Sequence, residues 1–258
     1  MPGKDNDTYK YMYCIIRCPE ARQFSNLGIG ERGDIVHTVN YEDLAAVVSD
    51  SPDIEYDNSR RNMMAHTVVL EEVMREYALL PVRFGTLAPS EEAVRERILR
   101  RRYGEFLGLL GNMTGLVELG LKVFWYEDRI FQEIVAGNAA IRDLRDKLAN
   151  RRPEESYYDR IRLGEMIEQD MWKKRDEDTE KILAQLSPLV SEYKANKVVS
   201  DRMVCNLAFL LAAERQPEFD ALIHQLDEAS NDRLIFKYVG PVPPYNFVNI
   251  VIHLNEEE

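Results

Sequence analysis

The stretch that most constrains the fold is residues 79–87, Leu-Leu-Pro-Val-Arg-Phe-Gly-Thr-Leu, which separates two long helical patterns. Val82 and Phe84 alternate with Arg83, and a period of two places the apolar pair on one face of a strand and the arginine on the other. The sequence therefore predicts a short buried strand. Because a charge inside a domain needs a partner, we expect Arg83 to be structural and held by a carboxylate or by carbonyl groups.

Two nearly continuous apolar runs, residues 11–18 and 203–213, predict central strands that are covered on both faces. Cys14 and Cys18 lie in the first run, and no second pair of ligands accompanies them, so packing is favoured over a metal site. Three cysteines in a chain of 258 residues also cannot form a paired disulfide framework. We expect free, buried thiols in a reducing cytoplasm.

Periodic patterns fill the chain between these runs. Further strands are predicted at residues 34–40, 44–48, 117–126 and 233–239. Helices are predicted at 59–77, after 89, across 130–148, after 217, and from 157 onward with a kink at Pro188 and an apolar stripe that continues to Tyr193. Within the last of these long helices, the polar residues 168–180 are interpreted as a solvent-exposed part, with a partner-binding arm as the alternative.

This mixture of strands and helices predicts an α+β protein with two ferredoxin-like α/β layer domains. Each domain is expected to have an antiparallel sheet with helices on one face, and the second is expected to contain additional long helices. We place the N-terminal domain at residues 1–115 and the C-terminal domain, with an extended tail, at residues 116–258.

The overall charge argues against a nucleic-acid partner. The formal net charge is -12, and such a surface repels a polyanion, whereas nucleic-acid binders present a basic face. No apolar run approaches the roughly 20 residues that a membrane-spanning helix needs. We therefore expect neither nucleic acid nor a membrane as a partner.

A glycine-rich stretch matches the spacing of a dinucleotide-binding loop, with glycines at positions 28, 30 and 33. Such a loop must lead into a helix whose N-terminus binds the pyrophosphate, but the residues after Gly33 alternate as a strand does. We interpret the glycines as turn residues and expect no cofactor.

The sequence contains no motif of a known catalytic centre, and its four histidines are scattered. His66 lies on the apolar stripe of a predicted helix, where a hydrogen-bonded core or rim residue is favoured over a general acid or base. We therefore expect neither catalytic nor metal-binding residues.

Four short motifs occur along the chain in a characteristic order: Gly28-Ile-Gly30, the stretch 79–87, Glu118-Leu-Gly-Leu-Lys-Val-Phe-Trp125 and Gly240-Pro-Val-Pro-Pro-Tyr-Asn-Phe247. Together they resemble the gas vesicle protein F/L family. One departure is Val242, where members of the family often have a larger aromatic residue. The resemblance implies structural or partner-contact roles for the positions that match its motifs, namely Arg83, Phe84, Gly85, Lys122, Trp125, Pro244, Tyr245 and Phe247.

The resemblance implies a cytoplasmic accessory protein of gas vesicle assembly, or a minor vesicle component, without known catalysis. It implies the major gas vesicle shell protein and other gas vesicle accessory proteins as partners. An acidic protein that offers a complementary edge or groove would limit the aggregation of an apolar shell subunit. The alternative is a small-ligand sensor or enzyme built on the ferredoxin-like sheets, which a pocket with convergent polar groups would indicate.

The C-terminal segment, residues 240–254, is rich in proline and is expected to be extended. Tyr245 and Phe247 would form an apolar patch if they were left in water, so we expect this tail to pack on the protein itself, along the seam between the domains. The alternative is that the tail binds a partner, as an added strand does.

Overall fold

The computed structural model describes residues 8–252, which form two compact units. The first unit contains the described residues up to Glu118 together with those from Pro241 onward, and the second contains Leu119–Gly240. The sequence places the whole tail in the second domain, whereas the structure places residues 241–252 in the first unit. Residues 253 and 254 of the predicted tail lie outside the described part of the chain.

The first unit is a sheet with helices. In chain order it contains β1 (Tyr9–Arg17), β2 (His37–Tyr41), β3 (Leu44–Ser51), α1 (Arg60–Met74), β4 (Leu79–Pro81), β5 (Leu87–Ala88), α2 (Glu91–Ala93), a π-helical segment (Val94–Arg100) and α3 (Tyr103–Met113). The strand order is β2-β3-β1-β4, with β5 also pairing with β1, and these pairs are antiparallel. A ferredoxin-like unit has a helix between its first two strands, and here a loop occupies that place.

Helices cover both faces of this sheet, which corrects the expectation of helices on one face only. The cause lies in β1, because residues 11–16 are completely buried and leave no face for solvent. On one face, Val69 and Leu70 of α1 pack against the sheet. On the other face, Phe106 and Leu110 of α3 form the second apolar cluster.

The cysteines of the first unit pack as predicted. Cys14 and Cys18 are buried free thiols in the apolar cluster beneath α1. Burial raises the pKa of the Cys14 thiol well above its usual range, so the thiol is protonated at neutral pH.

The glycine-rich stretch forms a tight loop that leads into a strand. The backbone N–H of Gly28 donates to the carbonyl oxygen of Asp34 at 3.1 Å. A Cβ atom on Gly28 would lie only 2.8 Å from that oxygen, which explains why glycine is needed here. The next regular element is β2, which begins at His37 rather than at residue 34.

The second unit contains a strand, three helices, two strands, a helix and a strand. These are β6 (Leu116–Trp125), α4 (Glu127–Gly137), α5 (Ala139–Ala149), α6 (Tyr157–Leu186), β7 (Glu192–Ala195), β8 (Met203–Ala212), α7 (Gln216–Ala229) and β9 (Leu234–Val242), and the two end strands extend slightly into the first unit. The sheet order is β7-β8-β6-β9. The α+β class with two antiparallel sheets and long extra helices is confirmed.

The long helix ends earlier than its apolar stripe suggests. α6 stops at Leu186, and Pro188 lies in a 3-10 turn that ends the helix instead of kinking it. Tyr193 belongs to β7 and lies opposite Phe209 of β8, so the predicted helical stripe to Tyr193 was wrong. The apolar spacing of a helix continues past Pro188 to Tyr193 by coincidence, because Tyr193 is a strand residue. Among residues 8–252, no helix combines the length and apolar character needed to cross a membrane.

Candidate functional site

The turn after β4 carries the first group of family-motif residues. The structure corrects the predicted continuous strand over residues 79–87, because the regular pairing of β4 with β1 ends at Pro81. The backbone N–H of Thr86 then donates to the carbonyl oxygen of Arg83 at 3.3 Å, which closes a turn. Gly85 has φ +82°, a left-handed conformation that favours glycine and interrupts an extended strand.

Arg83 lies exposed on this turn, so the expectation that a carboxylate or carbonyl groups hold it was wrong. None of the ion pairs between the described residues includes its guanidinium group. The alternating pattern fails as a guide because the turn directs Arg83 to solvent, while Phe84 packs against the apolar cluster beneath α1.

Replacing Arg83 with alanine should leave the free energy of unfolding within about 0.5 kcal/mol of the wild-type value, because an exposed side chain without a partner contributes little. Thermal melting followed by circular dichroism measures this, with Lys122→Ala as a matched control at another exposed motif position. A loss of about 2 kcal/mol or more for Arg83→Ala alone would restore the structural interpretation.

Phe84 and Gly85 contact a buried tyrosine–histidine pair. The backbone N–H of Gly85 donates to the Tyr11 hydroxyl oxygen at 3.1 Å, and that oxygen lies 3.0 Å from Nδ1 of His66. The ring centroid of Phe84 is 5.6 Å from that of His66 and 6.2 Å from that of Tyr11, both with edge-on geometry. These motif residues therefore close one side of an aromatic cluster in the first unit.

His66 is an uncharged core residue at neutral pH. The Tyr11 oxygen accepts the Gly85 N–H, and the tautomer of His66 sets which atom donates in the bond between Tyr11 and Nδ1. Nε2 is buried and has no hydrogen-bond partner among the described residues. Burial lowers the pKa of His66 to about 4, well below the range that suits a general base at neutral pH. The core interpretation of this residue is confirmed.

The fourth motif meets the third at a buried carboxylate. The backbone N–H of Asn246 donates to Oε2 of Glu118 at 3.0 Å, and its side-chain Nδ2 donates to Oε1 at 2.5 Å. These bonds offset part of the cost of removing the carboxylate from water. The family motif singles out Lys122 and Trp125 as candidate site residues, whereas Glu118 is the motif residue that binds the tail.

Beyond Asn246 the tail enters the core of the first unit. Val248 and Ile250 are buried in the cluster formed with α3, and Ile250 makes a parallel bridge with Val82. Nη1 of Arg102 donates to the carbonyl oxygen of Val251 at 2.9 Å. The expectation that the tail packs on the protein itself is confirmed.

A tight turn at Pro244 presents Tyr245 on the surface. The Pro244 carbonyl oxygen accepts the N–H groups of Phe247 at 3.2 Å and of Val248 at 2.9 Å. Phe247 is half-buried, whereas Tyr245 is exposed. Burial of its hydroxyl end nevertheless raises the pKa of the Tyr245 phenol, and Thr67 of α1 lies close to that hydroxyl.

The outer face of α1 carries exposed apolar side chains beside Tyr245. The exposed fraction is 42% for Met63, 55% for Met64 and 39% for Val68. We call Met63, Met64, Thr67, Val68 and Tyr245 the α1 surface. The opposite face of the same helix is buried through His66, Val69, Leu70 and Val73. This helix therefore carries apolar side chains on two faces, of which the fold buries one.

In the second unit, Trp125 anchors an ion-pair network. Its Nε1–H donates to Oδ2 of Asp178 at 2.9 Å, and Nη2 of Arg233 donates to the same oxygen at 2.7 Å. Arg233 also donates to both carboxylate oxygens of Glu133, at 2.5 and 3.0 Å. Although burial opposes it, this pairing lowers the pKa of Glu133, and it raises the pKa of Arg233. Lys122, by contrast, is exposed on β6.

Asp178 is buried, which corrects the interpretation of residues 168–180 as a solvent-exposed part of the helix. Helical spacing contained the signal, since Met171, Asp178 and Ile182 lie seven and four residues apart and share the buried face of α6. A carboxylate on an otherwise apolar stripe indicates a buried ion pair.

The chain matches a known protein family over nearly its whole length. The family described as gas vesicle synthesis protein GvpL/GvpF matches residues 9–249. Gas vesicle protein F of Streptomyces sp. (strain CB03234) is 30% identical over 240 residues, which cover 92% of this chain and 98% of the relative. Gas vesicle protein L1 of Halobacterium salinarum is 21% identical over 253 residues, which cover 92% of this chain and 89% of the relative.

Two solved structures share the fold. The crystal structure of GvpF from Anabaena sp. PCC7120 superimposes with a TM-score of 0.81 at 24% identity, covering 95% of this chain and 100% of that chain. The crystal structure of GvpF from Microcystis aeruginosa gives a TM-score of 0.77 at 26% identity, covering 94% of this chain and 100% of that chain. The two-sheet architecture is therefore shared along nearly the full length of all three chains.

Proposed function

Because the chain belongs to the gas vesicle synthesis protein GvpL/GvpF family, we propose that it binds the apolar major shell protein and limits its aggregation during gas vesicle assembly. In this proposal it acts without catalysis, in the cytoplasm and at the growing vesicle, together with other gas vesicle accessory proteins. The exposed motif residues Arg83 and Tyr245 serve as partner contacts, and the buried Trp125 serves as a structural anchor.

The α1 surface is the observation that supports this proposal most directly. Met63, Met64 and Val68 are adjacent on one helix and stay exposed, although their burial would be favourable at roughly 25 cal/mol per Å². Contiguous exposed apolar side chains mark interaction sites on soluble proteins. Methionine suits such a site, because its unbranched, polarizable side chain adapts to the shape of different apolar partners.

The first unit offers a helix face and not a strand edge at the β2 side of its sheet. The N–H of Phe24 donates to the Val36 carbonyl oxygen at 2.8 Å, and the N–H of Thr38 donates to the Arg22 carbonyl oxygen at 3.0 Å. Residues 22–24 therefore already bind backbone groups at this edge of the sheet that an added strand would need. For binding by this unit we accordingly favour the α1 surface over β-strand addition.

The acidic character of the chain supports the anti-aggregation role. With a formal net charge of -12, copies of a complex between this protein and a shell subunit would repel one another. Apolar contact at the α1 surface and repulsion elsewhere are the two requirements for keeping an apolar subunit dispersed.

Replacing Met64 and Val68 together with lysine should abolish capture of the shell protein. Both side chains are exposed, so the fold tolerates the change, but two charges would have to be desolvated on binding. Light scattering of purified shell protein should show that the wild-type protein suppresses aggregation. Met64→Lys/Val68→Lys should leave the aggregation of the shell protein unchanged. A pull-down of the shell protein measures the same contact directly.

Ile35→Lys/Val199→Lys is the matched control, because it adds the same charge at exposed apolar positions elsewhere. This control should capture the shell protein as the wild-type does. If the α1 variant keeps its melting temperature and still captures the shell protein at the wild-type level, the α1 surface is not the binding site.

The second unit has a polar cleft, but the geometry of this cleft does not favour a small-ligand sensor or enzyme. A cleft of about 480 Å³ beside the Trp125 network is lined by Lys174, Arg233, Glu133 and Asp178. These groups already pair with one another, and Nζ of Lys174 lies 3.2 Å from Oε2 of Glu133. Charges that satisfy one another are not free to orient a ligand.

A further inference from the structure

A second exposed apolar region lies between α4 and α6 of the second unit. It is a cleft of about 630 Å³, bounded by these two helices and by the turn at residues 200–202 before β8. Its apolar floor consists of Ile130, Phe131, Ile167, Met171 and Trp172. We call it the α4–α6 cleft.

Two aromatic rings keep a large surface exposed at this cleft. The exposed fraction is 41% for Phe131 and 56% for Trp172. Gly164, about two turns before Trp172 in α6, also lines the cleft, and a Cβ atom placed on it would meet no atom within 4 Å. From residue 164 to residue 172 the cleft runs along the helix for about 12 Å, which matches roughly two turns of a bound helix.

The charges at the rim of the cleft are unbalanced. Arg175 is engaged with backbone, donating to the carbonyl oxygens of Asp201 and Met203 at 2.9 Å each. Arg202 pairs with Glu127 at 3.6 Å. For the carboxylates of Glu168 and Asp201, the described residues provide neither an ion pair nor a hydrogen bond. Three carboxylates (Glu127, Glu168 and Asp201) and two guanidinium groups (Arg175 and Arg202) line the cleft, so its net charge is -1, and its two unpaired side-chain groups are both acidic.

We propose that the α4–α6 cleft binds an amphipathic helix that has aromatic or aliphatic residues on one face and lysine or arginine beside them. The apolar face would cover Phe131 and Trp172, and the basic residues would pair with the carboxylates of Glu168 and Asp201. The walls are helices and a turn, without a strand edge, so a helix fits this groove and a β-strand does not. This site is additional to the α1 surface.

A pair of synthetic helical peptides tests both parts of the proposal. They share one leucine face over about 15 residues and differ only in their flanking residues, which are lysine in one and glutamate in the other. Fluorescence anisotropy with the full-length protein should show that the lysine peptide binds about tenfold or more tightly than the glutamate peptide. Equal binding of the two peptides, or no binding of either, would overturn the proposal.

Variants locate the bound peptide. Trp172→Ala should weaken binding of the lysine peptide about tenfold, and Glu168→Lys should remove the preference for it. Tyr158→Ala is the matched control, because this tyrosine is more exposed than Trp172 on the same helix but lies outside the cleft. Equal losses for Tyr158→Ala and Trp172→Ala would refute the assignment of the site.

Met64→Lys/Val68→Lys should bind the lysine peptide as the wild-type does, so this assay can succeed or fail independently of shell-protein capture. Should Trp172→Ala fail to fold, Glu168→Lys decides the matter alone, since that side chain is exposed and replacing it leaves the apolar floor intact. A peptide preference that is the same in Glu168→Lys and in the wild-type protein would refute the proposal.

Discussion

Replacing Arg233 with alanine should lower the free energy of unfolding by about 3 kcal/mol, because it leaves the Asp178 carboxylate buried without its main charge partner. The same change removes two hydrogen bonds from Glu133. We choose the lower end of the range for broken buried ion pairs, since the Arg233 side chain is 28% exposed and water partly replaces it.

Tryptophan fluorescence during chemical denaturation suits this measurement. The chain has two tryptophans, Trp125 and Trp172, and both lie in the second unit with Arg233. Lys181→Ala is the control, because Lys181 lies 3.7 Å from the same Asp178 carboxylate but its side chain is 71% exposed. It should change stability by about 0.5 kcal/mol or less.

A double-mutant cycle separates the ion pair from other effects of the change. In an Asp178→Asn background the buried charge is absent, so Arg233→Ala should cost clearly less than in the wild-type protein. An equal cost in both backgrounds would show that Arg233 does not stabilise the second unit through Asp178.

The Glu133 pairing gives this stability a pH dependence. The folded-state pKa of Glu133 is lowered, so its contribution is complete above the pKa of the unfolded chain and is lost as the pH falls through the folded-state value. The stability difference between the wild-type protein and Arg233→Ala should therefore narrow in acid.

Replacing Ile250 with alanine should lower the free energy of unfolding of the first unit by about 2–5 kcal/mol, the range for large-to-small changes in a core. Ile250 is buried with Val248 in the cluster that includes α3, and it forms a bridge with Val82. The change removes apolar area and leaves a cavity where the tail crosses the end of β4.

Val251→Ala is the matched control, because it shortens the next side chain, which is 40% exposed, and keeps the backbone carbonyl that Arg102 binds. Val251→Ala should change the free energy of unfolding of the first unit only slightly. Both tryptophans lie in the second unit, so amide hydrogen exchange of β1 and β4 is the better measurement here. Unchanged protection in Ile250→Ala would mean that the tail is not an integral part of this core.

Periodicity predicted most elements of the fold, because apolar alternation and helical stripes report which faces must be buried. The apolar run at residues 11–18 identified a strand covered on both faces, and the stripe through His66 and Leu70 identified α1. The pattern could not reveal that helices would lie on both sides of the first sheet, since that depends on where α3 returns to it.

The contacts at the candidate site were less accessible to sequence reasoning. Arg83 alternates with apolar residues as a strand residue would, but the left-handed Gly85 converts the segment to a turn and exposes it. The bond between Glu118 and Asn246 joins residues that are far apart in the chain, and a single sequence contains no information on such pairs. The burial of Asp178 could be predicted from the sequence, because helical spacing alone places this residue on a buried stripe.

The hydrogen bonds between Glu118 and Asn246 also matter for how the protein is made. The chain leaves the first unit after Glu118 and returns to it at Pro241, and these bonds hold the two ends close together. Residues Leu119–Gly240 are inserted between them. A ribosome that adds about 5–20 residues per second needs roughly ten seconds to synthesise such an insertion. During that interval the nascent first unit lacks Val248 and Ile250, so its hydrophobic core is completed only after the whole inserted unit has been translated.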